Sequence, residues 1–189
     1  VLRSLTKKTR LKTDRKSIVE QSLSLVDLAV AQDDFETSRR LAEMALSEAR
    51  KVRDSDLVKR VADRAEEVKE CSEAYAKARA AIRRLAEDPT DGEANLTAGK
   101  YQCLVKGDWE NGLSMLALGD APDLREAATK DLSGGDGPED WVAIADAWWD
   151  LAQNQEGRER TAMMLRAGAR YRQALGSLEG LERMRVQKR

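Results

Sequence analysis

Two segments of the chain share a corner that predicts a tight turn between helices. Residues 32–46 and 106–118 each place an Asp-aromatic-Glu step between two apolar patterns of helical spacing. The two steps are Asp34-Phe35-Glu36 and Asp108-Trp109-Glu110. An aspartate in front of such a pattern suits the cap of the following helix, where its carboxylate accepts free backbone N–H groups. The corners therefore predict helical hairpins, and they constrain the fold more than any other feature.

The residue composition favours helices and excludes most catalytic chemistry. Among 189 residues, 41% are apolar and 35% are charged, and only one Phe, three Tyr and four Trp are present. Residues that favour strands are too scarce for a sheet, so we expect an all-α fold. The chain has no histidine, which excludes histidine-dependent nucleophiles, histidine general bases and nearly every common transition-metal site. We therefore expect no catalytic residues, no cofactor and no bound metal.

A basic, flexible arm is expected over residues 1–13. Residues 1–16 hold seven basic residues against one acidic residue. Such an arm could hold phosphates or anionic lipid, or it could be a frayed segment without a ligand. It has no aromatic residue for base stacking, so we expect no nucleic-acid partner. No run in the chain approaches the ~20 apolar residues that insert across a membrane, so direct membrane insertion is not expected.

Polar turns divide the rest of the chain into helices. Hairpins are predicted over residues 14–90, with Asp34 capping the second helix and Ser55 capping a long central helix over residues 54–87. Apolar residues recur every seven positions along this long helix. It could pack along its own chain or along a second copy, which leaves the oligomeric state open. Residues 91–189 are predicted to form a second helical block, packed on the hairpins as one domain or array.

The hairpins resemble the tetratricopeptide repeat, a helix–turn–helix unit of about 34 residues. The matching residues are Trp141, Ile144, Ala145 and Trp148 for its first helix, and Ala167, Tyr171 and Ala174 for its second. The connection between these two helices is roughly ten residues longer than in the repeat. No proline stands at the repeat's position, and Gly99 is one place out of register. The resemblance implies degenerate hairpins in a right-handed, tetratricopeptide-like array.

The second half of the chain carries a more specific resemblance. It rests on residues 101–113, 116–119, 145–152 and 171–175, which include the strings Gly-Asp-Trp and Ala-Trp-Trp-Asp-Leu-Ala. These segments resemble a helical accessory domain in uncharacterised multidomain proteins of planctomycete-type bacteria. The resemblance implies a segment of a larger protein, beside modules such as lectin-like or kinase domains. An exported or cell-envelope location is one option that it leaves open, and it implies no catalytic residue.

Aromatic residues divide into a predicted core and a predicted surface. The expected core residues are Phe35, Trp109, Trp141, Trp148 and Tyr171. On a helix Trp149 is turned about 100° from Trp148, so in the repeat register it points to the concave face. The predicted partner-binding face consists of Asp27, Tyr101, Asp146, Trp149 and Asp150. Alternatively, Trp149 packs beneath the last helix or the loop over residues 155–160.

Other side-chain groups allow alternative interpretations. Carboxylates around the Gly-rich loop at residues 134–138 could bind calcium or could cap a helix, namely Asp131, Asp136, Glu139 and Asp140. Arginines on the helix over residues 159–175 could face phosphate, or they could pair with Asp146 and Asp150 or lie in water. Cys71 and Cys103 fit no zinc or redox spacing, and we expect buried free thiols.

These features predict a non-catalytic scaffold for protein–protein or domain–domain interaction. The expected partner is another protein or a neighbouring domain of the same polypeptide. A carbohydrate-binding or carbohydrate-processing accessory domain is an alternative, because Trp149 and the neighbouring aspartates could hold a sugar ring. A second alternative is a structural spacer that only separates flanking domains.

Overall fold

The computed structural model describes residues 12–189, and these residues form nine α-helices and one π-helical segment without any strand. The helices are α1 (Lys12–Ala31), α2 (Phe35–Val52), α3 (Ser55–Glu87), α4 (Gly92–Lys100), α5 (Trp109–Leu118), α6 (Pro122–Ser133), α7 (Pro138–Gln153), α8 (Gly157–Leu175) and α9 (Gly180–Gln187). The π-helical segment Tyr101–Lys106 follows α4 directly. The all-α class is thus confirmed. Residues 1–11 of the predicted basic arm lie outside the described residues.

The described part of the chain divides into two compact units, one that ends at residue 75 and one over residues 76–189. The division falls inside α3, and this helix runs without a break to the Asp88–Pro89 turn. Its first part packs Leu57 and Val61 into the core of the first unit. Its last part packs Ala81 against α4 in the second unit. The predicted boundary at residue 90 lies in the turn between α3 and α4.

The two Asp-aromatic-Glu corners have nearly the same geometry, as their sequences predict. Asp34 caps α2 with φ −85° and ψ 74°, and Asp108 caps α5 with φ −84° and ψ 79°. Each carboxylate accepts the backbone N–H three residues on, from Thr37 at 3.0 Å and from Asn111 at 3.1 Å. Hydrogen bonds from the side chains of Thr37 and Asn111, and then these backbone hydrogen bonds, lower the pKa of both carboxyls below the ordinary value. Both corners therefore remain charged helix caps at neutral pH.

The cap of α3 differs from the prediction by one residue. Asp54, and not Ser55, accepts the backbone N–H of Leu57, at 3.2 Å. Arg53 ends α2 in the left-handed region at φ 57°, and this reversal places Asp54 at the cap position. A carboxylate also interacts favourably with the positive end of the helix dipole.

In the first unit α1 and α2 form an antiparallel hairpin around small and β-branched residues. The core consists of Val19, Ala45, Ala49, Val52, Leu57 and Val61. Glu48 lies within this packing at 2% exposure, and its carboxylate is paired with Arg15 and with Lys51. Because a buried carboxylate is costly without such partners, the two cations offset the cost of burying Glu48 within the hairpin.

In the second unit each helix contacts the next, from α4 to α8, and α8 also contacts the π-helical segment. The last helix of this series, α8, is therefore packed against the segment that directly follows the first, α4. Trp148, on α7, is the largest fully buried side chain in this core. The close crossing of α4 and α5 depends on Gly99, because a Cβ there would lie 2.8 Å from the backbone nitrogen of Leu116.

The π-helical segment interrupts what the sequence predicts as one helix over residues 93–105. Its wider turn places Tyr101, Cys103 and Leu104 in the core. Burial raises the pKa of the Cys103 thiol to about 12. Cys71, which belongs to the other unit, is buried as well, and both cysteines are free thiols. Neither thiol has the exposure of a reactive cysteine.

Candidate partner-binding site

One surface of the second unit combines a carboxylate with two aromatic rings. Asp146 and Trp149 stand on the same side of α7, three residues apart, and Tyr171 stands opposite them on α8. The rings of Trp149 and Tyr171 meet edge to face, with centroids 6.4 Å apart. The Tyr171 hydroxyl donates a hydrogen bond of 2.5 Å to Asp146 Oδ1. We call these three residues the acidic aromatic site.

The side chain of Arg189 occupies the acidic aromatic site. Its Nη1 donates to Asp146 Oδ1 and, at 2.6 Å, to the Tyr171 hydroxyl. The guanidinium carbon lies 5.5 Å from the Trp149 ring centroid and 6.0 Å from that of Tyr171. A second arginine, Arg185, reaches the other carboxylate oxygen of Asp146 at 3.1 Å. The site thus binds a guanidinium by charge, hydrogen bonds and stacking together.

The pKa values of Tyr171 and Arg189 both favour the protonated forms that make these contacts. Burial, and then the hydrogen bond to Asp146, raise the pKa of Tyr171 to about 12. The hydrogen bond to Tyr171 raises the pKa of Arg189, and the charges of Asp146 and Asp150 act in the same direction. Tyr171 therefore stays a neutral hydroxyl at physiological pH, so it can donate to Asp146 while it accepts from Arg189.

Tyr171 is expected to ionise near pH 12, against about 10 for an ordinary tyrosine. Because its folded-state pKa is raised, its contribution to stability is complete below about pH 10 and is lost as the pH rises towards 12. A spectrophotometric titration of phenolate absorbance measures this, and the Tyr171→Phe variant assigns the late transition. The expectation fails if the transition near pH 12 is absent from the wild type or persists in that variant.

The structure distributes the five residues of the predicted face among different environments. Asp146, Trp149 and Asp150 share one side of α7, with Trp149 half-buried and Asp150 exposed. Tyr101 is only 4% exposed, because the π-helical segment turns it inward. Its place on a partner-binding face stays a prediction. Asp27 belongs to the first unit, where it accepts two hydrogen bonds from Arg64, at 3.0 and 2.7 Å.

Three residues of the acidic aromatic site and its surroundings have a role that the sequence did not indicate. Tyr171 is predicted as a core residue, and it is buried at 4% exposure, but its hydroxyl reaches the surface site. Arg185 and Arg189 belong to a basic run whose simplest interpretation is a favourable charge at a helix C-terminus. The only sequence signal for them is this charge, opposite in sign to the α7 aspartates.

A second cluster of polar groups lies inside the unit and serves packing. Asp131 has a fully buried side chain, and it accepts the indole N–H of Trp148 at 2.8 Å. Arg166 donates to it at 2.7 and 3.0 Å, and Arg170 at 2.8 Å. For Arg166 and Arg170, the partner is thus Asp131 and not Asp146 or Asp150, which were the partners considered from the sequence. These pairs also take Asp131 away from the Gly-rich loop, where it was a candidate calcium ligand.

The arginines of this cluster also explain how two predicted core tryptophans are placed. Trp109 and Trp141 are half-buried, and each carries a guanidinium over its ring. Arg166 lies 4.9 Å from the Trp109 centroid, and Arg170 lies 5.1 Å from that of Trp141. The remaining predicted core residues, Phe35, Trp148 and Tyr171, are buried.

The Gly-rich loop before α7 is a capping structure. The carboxylate of Asp140 accepts the backbone N–H groups of Asp136 and Gly137, at 3.1 and 3.2 Å. Gly135 allows this loop to lie against α7, since a Cβ there would meet the side chain of Asp140 at 2.8 Å. Asp140 therefore faces backbone donors, and its interaction is that of a helix cap.

Comparisons with models of protein families, with curated proteins and with solved structures found no match to this chain. Over residues 12–189 no helix is both long and apolar enough to cross a membrane. Within the same range, no group of three or more His, Cys, Asp or Glu side chains is placed to hold a metal ion. What the acidic aromatic site can bind follows from its own geometry.

Proposed function

We propose that this chain is a non-catalytic interaction module with tetratricopeptide-like helical hairpins, and that it binds a cationic segment of a protein partner. The acidic aromatic site is the proposed contact surface. The observation that carries the proposal is the Arg189 guanidinium, which is bonded to Asp146 and Tyr171 and lies over Trp149. The antiparallel pairs α4–α5 and α7–α8 support the hairpin packing.

The same observation favours a cationic partner over a sugar. Sugar rings stack on an open aromatic face and need both donors and acceptors around it. At this site the Trp149 face meets a guanidinium, and the neighbouring charged groups of α7 are the carboxylates Asp146 and Asp150. A planar cation with several N–H donors matches this arrangement, since carboxylates accept and do not donate.

Selection from a random peptide library on the full chain tests this function. We expect enrichment of arginine-bearing peptides. We also expect the Trp149→Ala variant to bind the selected peptides about 30-fold more weakly, which is the usual loss at an interface hot spot. The matched control is Leu118→Ala, which removes an exposed apolar side chain from α5.

Three results would contradict the proposed function. One is a library that yields no binding peptide, and another is a set of peptides that bind Trp149→Ala as well as they bind the wild type. The third is a glycan array on which the chain binds in a manner that depends on Trp149, because this would support the carbohydrate alternative.

A further inference from the structure

The segment that carries Arg189 is held to the rest of the second unit by few contacts. We call residues 179–189, which include α9, the α9 segment. Val186 is the single buried residue of α9, at 3% exposure. The other large apolar side chains of this helix, Leu181 and Met184, are 80% and 52% exposed. The packing of α9 therefore depends on one apolar side chain, in addition to the arginine contacts with the acidic aromatic site.

The local structure of the α9 segment gives it little stability of its own. The helix has eight residues, which is well below the length at which an isolated helix persists in water. Its N-terminus has no side-chain cap, and it begins at Gly180 in the left-handed region at φ 58°. The helix therefore forms because it is docked, and it loses its order when the docking contacts are broken.

The polar contacts that dock the α9 segment are also replaceable. The side chains of Arg185 and Arg189 are 44% and 29% exposed, and that of Asp146 is 25% exposed. Ion pairs between partly exposed groups contribute little net stability, because water and salt compete for both partners. Another guanidinium of similar reach could form the same contacts with Asp146, Tyr171 and Trp149.

We propose that the α9 segment is a displaceable occupant of the acidic aromatic site, and that a partner binds by placing its own arginine where Arg189 lies. This inference rests on the proposed function, since it names the partner's recognition group and the step that controls access to it. The ligand class is an arginine side chain in a peptide. One Nη atom of the guanidinium donates to both the carboxylate and the phenol, while the guanidinium group lies over the indole ring. The compact ammonium group of a lysine has no planar face that could make the ring contact in the same way.

The test separates receptor and occupant. In the full chain, Val186→Asp with Arg189→Ala releases the α9 segment without changing the acidic aromatic site. A synthetic peptide of residues 179–189 is then added, and its binding is measured by calorimetry. We expect the released variant to bind this peptide at least about tenfold more tightly than the wild type does, because the internal competitor is gone. Adding Trp149→Ala to the released variant should remove the gain.

Matched variants keep the result specific. Arg185→Ala with Arg189→Ala removes only the docking cations and should increase binding in the same direction as the release of the whole segment. Lys188→Ala removes one positive charge beside Arg189 and should leave binding unchanged. A peptide carrying the Arg189→Ala substitution should bind the released variant more weakly than the natural one.

The occupant proposal is overturned if the wild type and both released variants bind the peptide equally, or if none of them binds it. Neither result bears on the library selection, which tests the proposed function with foreign peptides. The library could instead yield no peptide while the peptide of residues 179–189 rebinds tightly. The α9 segment would then bind the acidic aromatic site only within its own chain, without an external partner. That outcome would overturn the competition step as well.

Discussion

Replacing Asp131 with alanine is expected to lower the free energy of unfolding of the second unit by about 3–5 kcal/mol. The carboxylate is fully buried and neutralises Arg166 and Arg170, whose side chains are only 14% and 17% exposed. It also accepts the indole N–H of Trp148. Its removal leaves two largely buried cations and a buried donor without their acceptor. Each of these groups would have to be rehydrated or moved before the core could close.

Urea unfolding of the full chain measures this loss. Asp150→Ala is the control, because it removes an exposed aspartate of α7 and should change stability by no more than about 0.5 kcal/mol. Asp131→Asn should fall between the two, since the amide keeps an acceptor but loses the charge. A loss for Asp131→Ala of less than about 1 kcal/mol would mean that the cluster is worth no more than an exposed ion pair.

Opposite effects are expected from alanine at two helical glycines. Gly99→Ala should destabilise the second unit by about 1–3 kcal/mol, because the new Cβ would lie 2.8 Å from the Leu116 backbone and would force α4 and α5 apart. Gly168→Ala should stabilise it by about 0.5–1 kcal/mol. Apart from its chain neighbours and the backbone of α8 itself, no atom lies within 4 Å of a Cβ at that position, and alanine is the better helix former.

Thermal and urea unfolding of the two glycine variants give the sign of each change in the free energy of unfolding. The pair is well matched because the chemical change is the same and both positions lie within helices. If Gly99→Ala also stabilises the protein, then α4 and α5 do not cross as closely as the structure has them. The double variant should show additive effects if the two positions do not interact.

Local chemistry made the corners predictable from the sequence. Asp34 and Asp108 act on the third residue after them, so a short window contains both the acceptor and the donors. The same reasoning failed by one residue at Ser55, because the left-handed Arg53 shifts the cap to Asp54. The residue type at position 53 does not predict this conformation, since arginine rarely adopts a positive φ.

The partners of charged residues were much less predictable. Helical periodicity was sufficient to place Asp146, Trp149 and Asp150 on one side of α7. It could not select Tyr171 and Arg189, which are 25 and 43 residues away from Asp146 in the sequence. For the same reason, the pairing of Arg166 with Asp131 was missed. In a chain with 34 acidic residues, charge alone leaves many equivalent partners, and only the packed fold selects among them.

The contact between Arg189 and Asp146 has a consequence for how the module would respond to ionic strength. Displacing this contact by a partner's arginine is an exchange in which one guanidinium–carboxylate pair is broken as another is made. Salt screens both pairs, so its effects on the two steps largely offset each other. A simple association of opposite charges weakens steeply as salt rises. An exchange of like for like would instead keep an affinity that is nearly constant across the ionic conditions that a cell or its surroundings provide.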